Sequence, residues 1–314
     1  MTTLPQALPT ATSLAPTRNR ILALAKDYAE LMKARVTSLV MMSAWCGYYL
    51  AAMKSGVPRL SWTMLHAVLG IGLAAGGTAA LNQVFERRID AFMKRTSRRP
   101  LPMGRMSALH AAAVGVVTVL GGLAYLAATT NLTTALLTAA TSAAYLGAYT
   151  PLKRVSPVCT FVGAFHGAMP AVLGWAAVQP RLGWEPLVLF GIMFLWQFPH
   201  FHSIAWLYRE DYERAGIRML QVVESDGRST AREIVCYALL LIPVSLAPTL
   251  LHMSGRVYLV GALALGLAFY GFGQRLASLK LAAVEARSKA PARHLLQASV
   301  FYLPLLFALM MLNA

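Results

Sequence analysis

From Met106 to Leu152 the chain carries no Lys, Arg, Asp or Glu. A helix needs about 20 mainly apolar residues to cross the hydrocarbon core of a bilayer. This stretch is too long for one crossing and fits two, with Thr129, Thr130 and Asn131 supplying the break. Comparable apolar runs stand at residues 36–54, 62–81, 107–127, 132–150, 158–178, 186–206, 234–252, 257–274 and 295–313. The expectation is an all-α membrane protein, a bundle of nine transmembrane helices.

Composition agrees. Of the 314 residues 57% are hydrophobic and 13% charged, against about 45–50% and about 25% in soluble domains. Too few charges remain for a polar shell, which excludes a soluble globular enzyme, a disordered chain and a coiled coil. Cys46, Cys159 and Cys236 lie in apolar stretches without CxxC spacing, so no disulfide framework or structural zinc site is implied. Residues 1–24 read as a disordered cytoplasmic tail and 25–314 as one membrane domain. The tail lacks the apolar core of a signal peptide and carries few Arg for a transit peptide. A bacterial cell inner membrane is therefore favoured over the mitochondrial inner membrane.

The net charge of +16 comes from 28 Lys and Arg against 12 Asp and Glu. On a soluble chain it would suggest nucleic acid; here no nucleic acid is expected. Only Lys54, Arg59, Arg181 and Arg256 fall on one side of the nine spans, and all the other Lys and Arg fall on the opposite side. Positive residues collect in cytoplasmic loops, which places the N-terminus in the cytoplasm and the C-terminus outside. All acids except Glu185 share the cytoplasmic side. The positive-inside rule says little about acids, so that clustering calls for a functional reason.

Three segments supply one. In LNQVFERRIDAFMKRTSRRPLP, Asn82, Glu86 and Asp90 are spaced i, i+4, i+8 and share one helical stripe, followed by Lys94, Arg95, Arg98 and Arg99. Mg²⁺ takes such oxygens together with substrate phosphates, and the arginine fork suits phosphate oxygens. A metal-bridged diphosphate site and a solvated helix end with pairs such as Asp90–Lys94 account for these residues equally well. In YREDYERAGIRML, Glu210, Asp211 and Glu213 stand among Arg209, Arg214 and Arg218. Asp211 and Glu213 do not share a helical face, so a single carboxylate, Asp211 or Glu210, is expected to enter a site, with a charged surface loop as the alternative. In YTPLKR, Pro151 stops a helix that Tyr149 ends, and Lys153 and Arg154 could neutralise a phosphate leaving group. A plain positive-inside turn explains them more simply. His200 and His202 lie two apart and point to opposite sides of a helix that Pro199 is expected to kink. One of them is a candidate to touch a haem iron or a carboxylate. His166 is a similar candidate.

These residues match a known pattern. Over residues 25–310 the chain resembles the intramembrane prenyltransferases of the UbiA superfamily, and within it the haem-prenylating branch. The carriers are NQVFERRIDAFMKRTSRRPLPMGRMS, YTPLKR, GAMPAVLGWAA and WQFPHFHSIAWLYREDYERAGIRML. The branch pattern N-Q-x-x-E, then Asp, then M-x-R-T-x-x-R-P is met by Asn82, Gln83, Glu86, Asp90, Met93, Arg95, Thr96, Arg99 and Pro100. The superfamily's second motif pairs two Asp four apart, and this chain has Ala215 where the partner of Asp211 would stand, which puts a full second metal site in doubt. Ala171 replaces a second proline.

The resemblance implies nine helices around a central cavity open to the cytoplasm and laterally to lipid. It implies farnesyl diphosphate as donor and the vinyl group of haem b as acceptor, giving haem O for terminal oxidases. Mg²⁺ would be the cofactor, held by Asn82, Glu86, Asp90 and Asp211. Arg95, Arg99, Lys153, Arg154 and Arg209 would take the diphosphate, and His200 and His166 the haem. Partners would be the lipid bilayer and haem A synthase or terminal oxidase assembly proteins. A prenyltransferase with an aromatic quinone-precursor acceptor shares the diphosphate chemistry, but would normally carry the paired second motif and lack PHF followed by REDY. A transporter or non-catalytic haem carrier is the more distant rival. No internal repeat supports a transporter, and the charges cluster at one surface.

Overall fold

The computed structural model describes residues 17–181 and 183–314, and no strand occurs among them. Most of the expected tail lies outside the described residues. Residues 17–24 of it are helical, because α1 runs over Thr17–Leu31. There follow α2 (Ala34–Ser55), α3 (Trp62–Asp90), α4 (Ala108–Thr129), α5 (Leu132–Ala144), a π turn (Tyr145–Tyr149), α6 (Thr150–Leu152) and α7 (Cys159–Ala176). The rest of the chain forms α8 (Trp184–Leu207), α9 (Arg209–Arg214), α10 (Leu220–Val223), α11 (Arg228–Leu250), α12 (Arg256–Ser278) and α13 (Ala286–Leu312).

Among the described residues, 8 helices are long and apolar enough to cross a membrane: α2, α3, α4, α7, α8, α11, α12 and α13. The expected span at 132–150 is helical, but the π turn divides it, so it is not one long α-helix. The break between α4 and α5 falls where expected. Asn131 caps α5 by accepting from the Thr134 N–H, and its amide donates to the Ala176 carbonyl at 2.9 Å. Helix α3 outruns its apolar stretch and ends at Asp90, so Asn82, Glu86 and Asp90 ride on its last turns.

Lipid tails are as apolar as Leu, so helices in a bilayer associate through close packing of small residues. Two seams show this. Helix α2 meets α7 backbone to backbone: a Cβ on Gly47 would lie 1.9 Å from the Ala171 carbonyl oxygen, and one on Gly174 would lie 1.8 Å from that of Ala44. Helix α3 meets α4 the same way, with Gly77 against the Gly115 carbonyl and Gly122 against Gly70. Helices α8, α11, α12 and α13 complete the bundle around a core that includes Trp175, Trp206, Tyr258 and Phe307.

The connecting segments gather by end. Met93, Cys159, Tyr212, Ile217 and Met219 form one buried cluster, and the Arg218 N–H donates to the Lys153 carbonyl at 2.8 Å. The loops after α3, α6 and α8 therefore share one end of the bundle. Gly227 packs against Trp206 and the Leu281 carbonyl, adding the loop between α12 and α13. The opposite end carries the Lys54–Glu185 ion pair and the bond from the Gly255 N–H to the Asn313 carbonyl.

Because Gly174 faces backbone that cannot yield, Gly174→Leu should cost more than the ~1–3 kcal/mol typical of overpacking. Thermal unfolding of the detergent-purified variant is expected to shift down by several degrees or to leave only aggregate. A wild-type melting curve would refute the backbone contact.

Candidate functional site

A cavity of ≈ 400 Å³ opens inside the bundle and has two kinds of wall. Its head carries Lys33, Glu86, Asp90, Arg95, Arg99 and Lys153, while Val36, Val40, Ile71, Leu173, Phe201 and Ile204 line the remainder together with uncharged polar groups such as Thr138, Ser142 and Gln197. The last turns of α3 build the head. Glu86 and Asp90 reach the cavity, and Asn82 sits buried one layer behind its wall.

Each of the three oxygen-bearing side chains is engaged by a cation from elsewhere. Lys33 Nζ donates to Asn82 Oδ1 at 2.7 Å, Lys153 Nζ to Glu86 Oε1 at 2.7 Å, and Arg99 Nη1 to Asp90 Oδ2 at 2.7 Å. Asp90 therefore pairs with Arg99 and not with Lys94. The chain folds back after α3 to allow this: the Thr96 hydroxyl donates to the Asp90 carbonyl at 2.8 Å. Lys153 Nζ also lies 4.3 Å from the centre of the Tyr149 ring. Burial works against its charge, but Tyr149 and Glu86 more than offset this and hold its pKa above the ordinary lysine range.

The π turn shapes the adjoining wall. The Thr150 N–H closes it onto the Tyr145 carbonyl, and the Thr150 hydroxyl donates to that carbonyl at 2.9 Å while accepting from Asn82 Nδ2 at 3.1 Å. Tyr145 and Tyr149 both pack against His166, with ring centroids 4.6 and 4.9 Å away. Helix α7 makes room with two glycines one turn apart. Gly163 takes the Tyr149 ring, and Gly167 takes Gln197 Oε1. Gln197 Nε2 donates to the Met193 and Ala164 carbonyls, tying α8 to α7. π turns of this kind recur at functional sites.

Not every expected site residue joins this cavity. Arg95, Arg99, Lys153 and His166 line it. Asp211 does not. It pairs with Arg214 in a neighbouring surface recess that also holds Lys94, Tyr208 and Glu210. Arg95 borders both spaces, with the Tyr208 and Tyr212 rings 5.5 and 5.4 Å from its guanidinium and the Tyr212 hydroxyl 3.1 Å from Nη2. Arg154 is exposed. Arg209 donates to the Gln221 carbonyl at 2.8 Å and pairs with Glu213 at 2.9 Å, away from the cavity.

The two histidines of α8 face opposite sides, as their spacing predicts, although α8 continues through Pro199. His202 Nε2 meets Glu233 Oε2 at 2.8 Å, so the expected histidine–carboxylate contact falls to it. His200 does not line the cavity; it stacks on Trp196 and bonds through Nδ1 to the Ser299 hydroxyl at 2.8 Å. His166 Nε2 is buried with no hydrogen-bond partner among the described residues.

No group of three His, Cys, Asp or Glu able to hold a metal occurs among the described residues. The donor set at the head is two carboxylates and one carboxamide oxygen. All three are hard oxygens, the type Mg²⁺ takes, so the residues fit that ion once the cations now on them move. Sequence reading missed Lys33, Tyr145, Gln197 and Tyr212 as cavity residues. Gln197 and Tyr212 stand inside the motif segments without a role of their own, and Lys33, which with Arg35 precedes an apolar run, counts there only toward the positive-inside excess.

The profile of the UbiA prenyltransferase family matches residues 40–311. A protoheme IX farnesyltransferase of Koribacter versatilis is 57% identical over 300 residues, covering 96% of this chain and 97% of its own. One from Solibacter usitatus is 51% identical over 299 residues, covering 92% and 98%. Among solved structures, a digeranylgeranylglyceryl phosphate synthase superposes with a TM-score of 0.73 at 16% identity, over 92% of this chain and 98% of that one. A UbiA homologue from Archaeoglobus fulgidus bound to GPP and Mg²⁺ gives 0.64 at 17% identity, over 90% and 99%.

Proposed function

Since the chain belongs to the UbiA prenyltransferase family and is thus a multi-pass membrane protein, we propose that it transfers the farnesyl group of farnesyl diphosphate to a vinyl group of haem b, with addition of water, giving haem O for terminal oxidases. The observation that carries the prenyl diphosphate reading is the divided lining of the cavity, with four cations and two carboxylates at the head and a mainly apolar, otherwise uncharged wall beyond. The choice of haem as acceptor rests on the relatives that share more than half of their residues with this chain.

On this reading Glu86 and Asp90, with Asn82 behind them, would hold Mg²⁺, which would supply charge neutralisation to the diphosphate as a leaving group. Arg95, Arg99 and Lys153 offset the charge that grows on the departing oxygens. The farnesyl C1–O bond breaks with its electron pair leaving on the diphosphate. The apolar wall holds the farnesyl chain and keeps water from the allylic cation, and the faces of Tyr145 and Tyr149 stabilise it. The terminal vinyl carbon bonds to C1, the positive charge passes to the vinyl carbon beside the porphyrin, and water adds there with loss of a proton. Asp211, Arg154 and Arg209 act outside this step.

The test is an assay of membranes with haem b, farnesyl diphosphate and Mg²⁺, with the pigment weighed by mass spectrometry. A mass gain of farnesyl plus water is expected, and a prenylated quinone precursor formed in its place would overturn the acceptor. Asp90→Asn should lower turnover about 10²–10³-fold, the range seen when one stabilising group is lost, while eluting as a monodisperse protein. Near wild-type turnover would remove Asp90 from the site.

For the acceptor we favour His200 over His166 as the group that meets iron. A metal-binding histidine usually has its second ring nitrogen hydrogen-bonded, and Ser299 does this for His200 Nδ1. His166 lines the cavity, but its buried Nε2 has no such partner among the described residues. Haem titration of His200→Ala should show about tenfold weaker binding and a displaced Soret band. Wild-type spectra would return His200 to packing against Trp196.

We place the end that carries the acidic clusters in the cytoplasm of a bacterium, at its inner membrane, and count the run 132–150 as a ninth span. A phosphatase active only outside the cell, fused after Ala314, should then be active. A silent phosphatase with an active cytoplasmic reporter at the same point would reverse this.

A further inference from the structure

Lys33 is the most constrained cation at the cavity. It stands between α1 and α2 with φ 48° and ψ 51°, a left-handed conformation that a residue with a Cβ seldom holds unless its surroundings impose it. Its carbonyl accepts from the N–H groups of Val36 and Thr37, which starts α2. Its ammonium reaches Asn82 Oδ1 at 2.7 Å and the Tyr145 hydroxyl at 3.5 Å. The bent backbone thus delivers a charge to the residue that opens the oxygen stripe.

We propose that Lys33, with Arg99 and Lys153, is a displaceable counter-ion that keeps a divalent cation out of the cavity until a diphosphate is present. This rests on the reading above that the cavity head takes a metal and a diphosphate. Each of the three side chains assigned to the metal already has one oxygen with a cation at hydrogen-bond distance. A metal arriving alone that takes these oxygens pushes three cations off their partners with no anion to receive them. Charge runs the same way. Four cations against two carboxylates line the cavity, so a dication alone deepens a positive excess in a low-dielectric space, whereas a diphosphate supplies acceptor oxygens for all three displaced groups. The diphosphate therefore enters first or with the metal. By linkage each then tightens the binding of the other by the same factor.

The experiment follows thermal unfolding of the full chain in detergent, with Mg²⁺ alone, pyrophosphate alone, and both at matched free Mg²⁺. For the wild type, Mg²⁺ alone should leave the melting temperature within about 1 °C, and Mg²⁺ added over pyrophosphate should raise it by about 5 °C. The corresponding gain in Mg²⁺ affinity is about fivefold or more. Lys33→Met frees Asn82 Oδ1 and removes one positive charge. It should gain a response to Mg²⁺ alone and lose at least half of the response to the pair. Lys33→Arg, which keeps the charge, should behave as wild type and shows that the position tolerates change. A wild type that answers Mg²⁺ equally with and without pyrophosphate overturns the exchange and leaves the metal assignment standing. So does a Lys33→Met protein whose responses to metal and to the pair fall alike. No response of the wild type to any addition removes the metal–diphosphate reading itself, and this inference with it.

Discussion

Two carboxylates and a carboxamide oxygen are buried at the end of the membrane bundle where the loops after α3, α6 and α8 converge, and each must be compensated. An ion taken out of water loses several kcal/mol unless a partner replaces the solvent. Glu86 and Asp90 meet that demand with Lys153 and Arg99, and Asn82 is met by Lys33. The three cations come from three separate segments. Placing them beside one helix pins the α1–α2 junction, the loop after α3 and the end of α6 to the same point. The buried cluster of Met93, Cys159, Tyr212, Ile217 and Met219 follows from that convergence, since the loops that carry the cations must pack on one another to stay there.

The helix seams serve the same end by a different force. Helix α3 carries the oxygen stripe, and its glycines let α4 lie against it backbone to backbone. On α7, Gly174 locks onto α2, while Gly163 and Gly167 admit Tyr149 and Gln197. One helix thus spends its small residues on packing toward its C-terminal end and on site geometry toward its N-terminal end. A larger residue at 163 or 167 would move a cavity wall with little effect on the α2–α7 seam.

The sequence reading succeeded where a property is local and periodic. Spans follow from apolar length, the α4–α5 break from Asn131, and the oxygen stripe from i, i+4, i+8 spacing. The opposed directions of His200 and His202 follow from their separation. It failed where position depends on the path of the backbone. Nothing periodic announces that Lys33 adopts a left-handed conformation and turns inward. The π turn is equally silent, because Tyr145 and Tyr149 read as ordinary members of an apolar run, and the same turn makes the run at 132–150 fall short of one long helix. Asp211 looked like a cavity residue because an acid near a membrane end is informative. Its three-residue spacing to Arg214 on the short helix α9 was the better guide, since i,i+3 neighbours find each other first. Arg99 was legible as a cation for the site, but its partner was not, because the fold-back that brings it to Asp90 depends on Thr96.

The distribution of polarity bears on how a prenyl transfer of the proposed kind can run here. The charged head lies at the end of the bundle where the loops converge, and Arg95 forms the boundary between the cavity and the open recess beyond it. The Tyr208 and Tyr212 rings hold that guanidinium from two directions without neutralising it. Among the described residues Arg95 and Lys33 are the head cations that no carboxylate engages, and Lys33 is held by the Asn82 carboxamide oxygen. Arg95 is free to meet an anion coming from the aqueous end, while Lys33, Arg99 and Lys153 are released only as that anion displaces them. Apolar walls begin on the far side of these groups, so the charge that must leave water and the carbon chain that should never enter it are separated along one axis. A bond broken at the junction of the two zones leaves the diphosphate next to cations and an exit, and the carbon cation next to aromatic faces and hydrocarbon.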